Sequence, residues 1–276
     1  MCRRSLFGVL LSLLAYSPTS SFSATAYFQV QNSPSEQVQI SPPTRPIEPP
    51  SLTASANVLE ERADVLRAEK RFFDAIDYYR AALAKKPNDS RIYNKTGIAE
   101  LLTQRWREAT RDFQHAIKSD RQSSDAYNNL GVIYYEEKKY GKAIKQYKKA
   151  ITILPSSASF HSNLGAAYFS KKEFENASLE YAKALQLDPE IFERTSHTGV
   201  SAQLSSPNDR AHYDYVVAKL YAKMGSPDRS LEYLRRALEE GYKGVDNAYK
   251  DPEFADLRKD ARFTQLMAAR PPAIPE

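Results

Sequence analysis

The amino-acid sequence predicts an all-α protein, an α-solenoid of paired helices closed by a short helical C-terminal cap. The first observation is a repeat of 34 residues that recurs four times in phase. The second is composition: the chain has 276 residues but only 9 glycines, and it is rich in Ala, Leu, Lys and Glu, which favour helices. Self-similarity at a fixed period of this length is typical of solenoid architectures.

Residues 1–26 are predicted to be a signal peptide. Arg3 and Arg4 precede an apolar run over residues 6–15, and Ala24-Thr25-Ala26 has the pattern of a cleavage site. The run is too short for a membrane span, which needs about 20 residues. Cleavage after Ser23 and an uncleaved anchor are the alternatives, and membrane contact is expected only if the signal peptide is retained. We therefore expect an exported protein, either periplasmic or secreted.

Residues 27–55 are predicted to be a proline-rich linker, because the stretch from Ser41 holds five prolines and no helical period. The single cysteine, Cys2, lies in the predicted signal peptide, which excludes disulfides and thiolate chemistry from the exported chain. The net charge of +5 falls once Arg3 and Arg4 are removed, so the chain is only mildly basic. This gives no indication of nucleic-acid binding.

Each repeat reads as two amphipathic helices joined by a short turn. An aromatic residue opens the second helix, small residues mark the helix crossing, and a proline follows the second helix. The opening aromatic residues are Phe72, Trp106, Tyr140 and Phe174; the small residues are Ala63, Gly97, Gly131 and Gly165 in the first helix and Ala75, Ala109, Ala143 and Ala177 in the second; the prolines are Pro87, Pro155 and Pro189, with Arg121 in the second unit. Small side chains permit the approach of about 8–10 Å that paired helices need.

The pattern resembles the tetratricopeptide repeat (TPR) family. The third unit is the best match, with Gly131, Tyr134, Tyr140, Ala143 and Tyr147 in phase. The resemblance covers about residues 56–270 and implies a right-handed superhelix that binds proteins in a concave groove. The predicted organisation is a signal peptide at 1–26, a linker at 27–55, four TPR units at 56–189, an insertion at 190–210, a degenerate fifth unit at 211–241, a helical cap at 242–270 and a tail at 271–276.

The fifth unit and the cap are predicted from capping signals. Ser206-Pro207 and Ser226-Pro227 each read as a helix start, with Gly225 ending the first of the two helices. Asp251-Pro252 is a further helix start within the cap. A closing segment of this kind covers the exposed apolar end of a solenoid.

In the TPR family the first helix of each unit lines the groove, which places a candidate binding surface on this sequence. The candidates are Asn94, Ile98, Leu101, Asn128, Val132, Tyr135, Ser162, Phe169, Tyr215 and Lys219. The groove is expected to be acidic near Glu60 and Asp64 and basic near Lys219. The alternative is that the apolar candidates only pack helix against helix. Asn129 and Asn163 are expected to be structural and to bind the backbone of a neighbouring helix.

No catalytic or metal-binding motif is present in the sequence. None of the four histidines is spaced for an H-E-x-x-H zinc site, and His161 falls at a repeat packing position. We therefore predict a non-catalytic, monomeric scaffold with no cofactor and no metal, whose partner is a protein or peptide. The alternatives are an accessory enzyme and a self-assembling structural component. The lysines of the third unit, Lys142, Lys145, Lys148 and Lys149, are read as a solvated face, with contact to an anionic polymer or lipid as the alternative.

Overall fold

The computed structural model describes residues 48–192 and 207–269. The predicted signal peptide, most of the linker, residues 193–206 of the insertion and the predicted tail lie outside these residues. The described part is all-helical, with eleven α-helices, three 3₁₀ helices and no strand. The α-helices are α1 (Ala56–Ala68), α2 (Phe72–Lys85), α3 (Ser90–Leu102), α4 (Trp106–Ser119), α5 (Ser124–Glu136), α6 (Tyr140–Ile153), α7 (Ala158–Ser170), α8 (Phe174–Leu187), α9 (Pro207–Lys223), α10 (Pro227–Glu239) and α11 (Ala261–Ala268).

The first four pairs, α1–α2 to α7–α8, are built alike and confirm the predicted solenoid of helix pairs. Every first helix has 13 residues and every second helix has 14. The turn inside each pair contains one non-glycine residue at a φ of +58° to +66°, in the left-handed region. These residues are Lys70, Gln104, Lys138 and Lys172, again 34 positions apart. A left-handed residue after a helix directs the next amides back to the last turn, as when Arg71 N donates to Leu66 O over 2.8 Å.

The small residues lie at the helix crossings, as the sequence predicted. A Cβ built on Gly97, Gly131 or Gly165 would lie 2.6–2.7 Å from a ring carbon of Phe113, Tyr147 or Tyr181, respectively. The glycine therefore allows the aromatic ring of the second helix to lie flat against the first helix. All three rings are buried, and they form the centre of each pair.

The ends of the helices follow the predicted proline positions. Helices α2, α6 and α8 end two residues before Pro87, Pro155 and Pro189. At the N-terminal side, the end of the predicted linker contacts the first unit. The Tyr78 hydroxyl donates to Glu48 O over 2.9 Å, and Lys85 Nζ donates to Leu52 O over 2.8 Å. Residues 48–52 thus lie along α2 instead of standing apart from the helices.

The fifth pair, α9–α10, has the predicted helix starts, but its first helix runs in a different direction from those of the regular units. Asp209 and His212 near the start of α9 contact Lys172 and Phe174 at the start of α8, with the rings of Phe174 and His212 4.3 Å apart. Tyr221 near the end of α9 donates to Pro189 O. Helix α9 therefore runs in the same direction as α8, whereas the tight loops before α3, α5 and α7 require antiparallel neighbours.

The long connection explains this reversal. Nineteen residues separate Leu187 from Pro207, and a 14-residue helix is only about 21 Å long. The chain can therefore return to the other end of α8 before α9 begins. Helix α8 ends at Leu187, so the described part of the insertion does not lengthen it.

The segment after α10 closes the end of the helix array, as predicted. Three 3₁₀ helices, Val245–Tyr249, Pro252–Phe254 and Leu257–Lys259, lead into α11. Phe254, Leu257, Phe263 and Met267 are buried and belong to one apolar core that extends from α5 to α11. The first unit and α3 share a separate core. Among the described residues, no helix has the length and apolar character to cross a membrane.

Candidate binding surface

The first helices of successive units are joined by side-chain contacts that use the same two repeat positions each time. Lys95 Nζ donates to Glu60 over 2.7 Å, Asn129 Nδ2 donates to Asn94 Oδ1 over 3.0 Å, and Asn163 Nδ2 donates to Asn128 Oδ1 over 2.9 Å. A fourth bond, Asn128 Nδ2 to Asn129 Oδ1 at 3.3 Å, joins the last two. We call this series the polar ladder. It fixes α1, α3, α5 and α7 in register, and we call the surface of these four helices the first-helix face.

The ladder corrects one expectation about the asparagines. Asn129 and Asn163 are structural, but each binds an asparagine side chain of the preceding unit and not the backbone. Asn128 and Asn163 are buried, where an unpaired amide would cost about 1–3 kcal/mol. The ladder therefore contributes to register as well as to stability.

The charged N-terminal end of the first-helix face is neutralised by the chain itself. Lys95 Nζ lies 2.7 Å from Glu60 and 2.5 Å from Asp64, and Arg91 lies 3.0 Å from Glu60. Although burial acts in the opposite direction, the hydrogen bonds from Lys95 and Tyr79 lower the pKa of Asp64. The acidic end expected from the sequence is consequently a paired network and not an open negative surface.

The ten candidate residues divide into two groups of five. Partly accessible are Asn94, Ile98, Leu101, Ser162 and Lys219; buried are Asn128, Val132, Tyr135, Phe169 and Tyr215. The accessible group places two apolar and two polar side chains on α3 and α7, and Lys219 on α9. These are the residues of the predicted set that a partner is able to touch without rearrangement of the helices.

Phe169 and Tyr135 lie in the core, which corrects their expected place on the groove surface. Phe169 has no exposed area, and its ring packs edge-on against Phe174, His212 and Tyr213 at 5.1–6.0 Å. Tyr135 is 6% exposed, and its hydroxyl is hydrogen-bonded to the Ser170 hydroxyl over 2.9 Å. Both side chains thus serve helix packing, the alternative that the sequence left open for the apolar candidates.

Tyr215 and Lys219 are bound by the closing segment of the same chain. The Tyr215 hydroxyl donates to Asp251 over 2.8 Å, and Lys219 Nζ lies 3.0 Å from Asp251 and 3.3 Å from Glu253. Although burial acts in the opposite direction, these carboxylates raise the pKa of Lys219 and keep it charged. The basic end expected from the sequence is therefore paired as well.

Two of the histidines that the structure describes, His161 and His212, have structural surroundings. His161 Nδ1 is hydrogen-bonded to Glu180 over 2.7 Å and its Nε2 to Pro155 O over 3.1 Å, which agrees with the packing role expected for it. Burial, followed by the nearby Lys172, lowers the pKa of His212. Within residues 48–192 and 207–269, no three His, Cys, Asp or Glu side chains are grouped closely enough to bind a metal ion.

The lysines of α6 are exposed, and three of them lie over tyrosine rings. Lys142 lies 5.7 Å from the Tyr134 ring centre, and Lys149 lies 5.1 Å from that of Tyr127. Lys148 lies 5.5 Å from the Tyr168 ring centre. Such contacts are worth about 0.5–1 kcal/mol at exposed sites. They orient the lysine stems along the helices, a feature that residue spacing alone did not indicate.

Comparison with known families agrees with this geometry. The TPR repeat model matches residues 131–172, and two tetratricopeptide repeat models match residues 113–145 and 158–191. These matches fall on α4 to α8, where the regular helix pairs lie. The chain contains tetratricopeptide repeats. No curated protein sequence matches this TPR protein.

Solved structures share its architecture. MamA residues 41 to the end from Desulfovibrio magneticus RS-1 is 17% identical with a TM-score of 0.50, covering 69% of this chain and 97% of that one. A MamA crystal structure is 20% identical with a TM-score of 0.49, covering 71% and 95%. YrrB, described as a TPR protein with an unusual peptide-binding site, is 16% identical with a TM-score of 0.47, covering 71% and 93%. At these identities the likeness of the first structure concerns the fold alone.

Proposed function

We propose that this TPR protein is a non-catalytic scaffold that binds an extended segment of a partner protein across its first-helix face. The observation that carries the proposal is the polar ladder. It holds α3, α5 and α7 in one register, and it leaves its own member Asn94 partly accessible, together with Ile98, Leu101 and Ser162. A face that is rigid before binding loses less conformational entropy when a peptide is bound.

The accessible side chains suit an extended peptide. Ile98 and Leu101 offer apolar contact area on α3, while Asn94 and Ser162 offer hydrogen-bonding groups for a peptide backbone. In an extended segment every second side chain points to the same side, so alternate side chains of the peptide would face these residues. The bound segment is expected to cross α3, α5 and α7 and to stop before α9, where the closing segment occupies Tyr215 and Lys219.

Site-specific photo-crosslinking tests the proposed face. Benzoylphenylalanine is placed at Leu101 or at Ser162 on the first-helix face, and at Lys118 or Lys145 on exposed positions of α4 and α6 as matched controls. We expect an adduct with a partner protein from the first two positions and none from the controls. Equal adducts from all four positions would remove the basis for this surface.

The site of action is proposed to be outside the cytoplasm, on the strength of the predicted signal peptide at residues 1–26. The intact mass of the protein recovered from the periplasm or the medium tests this proposal. A mature chain beginning at Tyr27 agrees with cleavage after Ala26, and one beginning at Ala24 agrees with the alternative cut after Ser23. A full-length chain recovered from the cytoplasm contradicts export.

A further inference from the structure

A pocket lies beside the reversed helix α9. It lies between the first half of α8, the middle of α9 and the closing segment, and its volume is about 590 Å³. Leu179 on α8 is 69% exposed at the pocket, although it is a large apolar residue.

One wall of the pocket is aromatic. The rings of Phe174 and His212 have centres 4.3 Å apart, His212 stacks on Tyr242 at 5.1 Å and 15°, and Tyr242 lies 4.6 Å from Tyr215. Burial, followed by Lys172, lowers the pKa of His212, so its ring is neutral at pH 7. A neutral aromatic wall attracts a cation through the negative faces of its rings.

The charge of the lining is negative. Glu175, Asp251 and Glu253 contribute three carboxylates, and Lys219 is the one lysine that lines the pocket. Lys219 lies between the two carboxylates of the closing segment, at 3.0 and 3.3 Å. Glu253 Oε2 is shielded from solvent and lies 3.3 Å from Lys219 Nζ. The lining therefore holds three carboxylates against one lysine.

We infer that this pocket binds the cationic side chain, arginine or lysine, of a partner protein. The aliphatic stem lies on Leu179 and Phe174, and the charged head lies between the aromatic wall and the carboxylates of Glu175 and Glu253. Arginine fits better than lysine, because its planar group stacks on aromatic rings and donates to two carboxylates at once. The inference rests on the proposed function, because it takes the partner to be a protein. The pocket itself is separate from the accessible residues of α3 and α7.

Titration of the ¹⁵N-labelled protein with small probes tests the pocket directly. The probes are Nα-acetyl-arginine amide, its lysine counterpart and Nα-acetyl-citrulline amide, which keeps the shape of arginine without the charge. We expect the arginine probe to shift amides of residues 174–179, 212–219 and 242–253, and the citrulline probe to bind about fivefold more weakly or not at all. Equal binding of arginine and citrulline, or shifts confined to other residues, would overturn the inference.

Two variants make the test specific. Glu175→Lys reverses an exposed charge at the pocket and is expected to lower the affinity for the arginine probe by about fivefold or more. Glu61→Lys makes the same change on the exposed face of α1 and is expected to leave binding unchanged. If both variants lower the affinity for the arginine probe equally, the attraction comes from the net charge of the protein and not from the pocket. Crosslinking from Leu101 is independent of this result, so the failure of one proposal is distinguishable from the failure of the other.

Discussion

At the scale of single residues, the structure is governed by the size of one side chain in each first helix. Gly131 lies so close to the Tyr147 ring that an added Cβ would be 2.6 Å from Cε1. Tyr147 is fully buried. The same relation holds at Gly97 and Gly165, so the glycine is required for ring packing at three crossings.

Substitution of this glycine is predicted to destabilise the protein. Gly131→Ala is expected to lower the free energy of unfolding by roughly 1–3 kcal/mol, because the Tyr147 ring must shift in a packed core. Gly141→Ala in α6 is the matched control: nothing lies within 4 Å of its added Cβ. Since alanine favours the helix, that variant is expected to be neutral or to gain up to about 1 kcal/mol. Urea denaturation measures both, and equal stability of the two variants would contradict the packing argument.

The sequence predicted these residue positions because packing at a helix crossing depends on size, and size repeats every 34 residues. It did not predict that Phe169 is fully covered. The neighbours that cover this ring include His212 and Tyr213 of α9, which follow a connection of 19 residues. The periodicity gives no information about where a helix returns after such a connection.

At the scale of helices, the polar ladder is predicted to couple α5 to α7. Asn128→Ala and Asn163→Ala each remove one partner of the 2.9 Å bond and leave the other amide buried without it. A double-mutant cycle is expected to give a coupling energy of about 1 kcal/mol in urea unfolding. Asn163→Ala combined with the remote Asn57→Ala is expected to be additive. A coupling no larger than in this control would show that the bond does not link the helices.

The α9–α10 pair contains a carboxylate that makes stability depend on pH. Burial, followed by the nearby Glu240, raises the pKa of Asp214 to about 7, against the effects of Arg236 and Arg210. The folded state therefore holds this proton more tightly than the unfolded chain. The resulting stabilisation is complete below about pH 4 and is lost as pH rises through about 7.

Removal of this charge is predicted to stabilise the protein at high pH only. Asp214→Asn is expected to leave the free energy of unfolding almost unchanged at pH 4 and to raise it by about 1–2 kcal/mol at pH 8. This value is reduced for partial solvent screening. Thermal unfolding from pH 4 to pH 8 measures the difference from the unsubstituted protein. Asp77→Asn, at an exposed position of α2, is the control and is expected to show a difference that does not change with pH. A gain for Asp214→Asn that is equal at both pH values would contradict the role of burial.

At the scale of the whole molecule, the buried side chains form separate cores. One core extends from α5 through α9 and α10 to α11 and contains Phe254 and Phe263, whereas the first unit shares its core only with α3. The cap was predictable from its helix-start signals and its position after the repeats. The division of the core was not, because the first boundary falls between α3 and α4, within the regular repeats, where the 34-residue period does not change.

The division predicts that the two ends of the molecule respond differently to the same defect. Phe263 is 1% exposed, and Phe263→Ala is expected to lower the free energy of unfolding by about 3–5 kcal/mol. Since repeat arrays transmit stability through neighbouring interfaces, the loss should fall on α5 to α11 and leave α1 and α2 unchanged. Hydrogen exchange of native amides resolves the two regions.

Phe73→Ala, at a ring 65% exposed on α2, is the control and should change exchange only locally. A uniform loss of protection from α1 to α11 after Phe263→Ala would mean that the helices unfold as one unit, and that the separate cores have no energetic consequence.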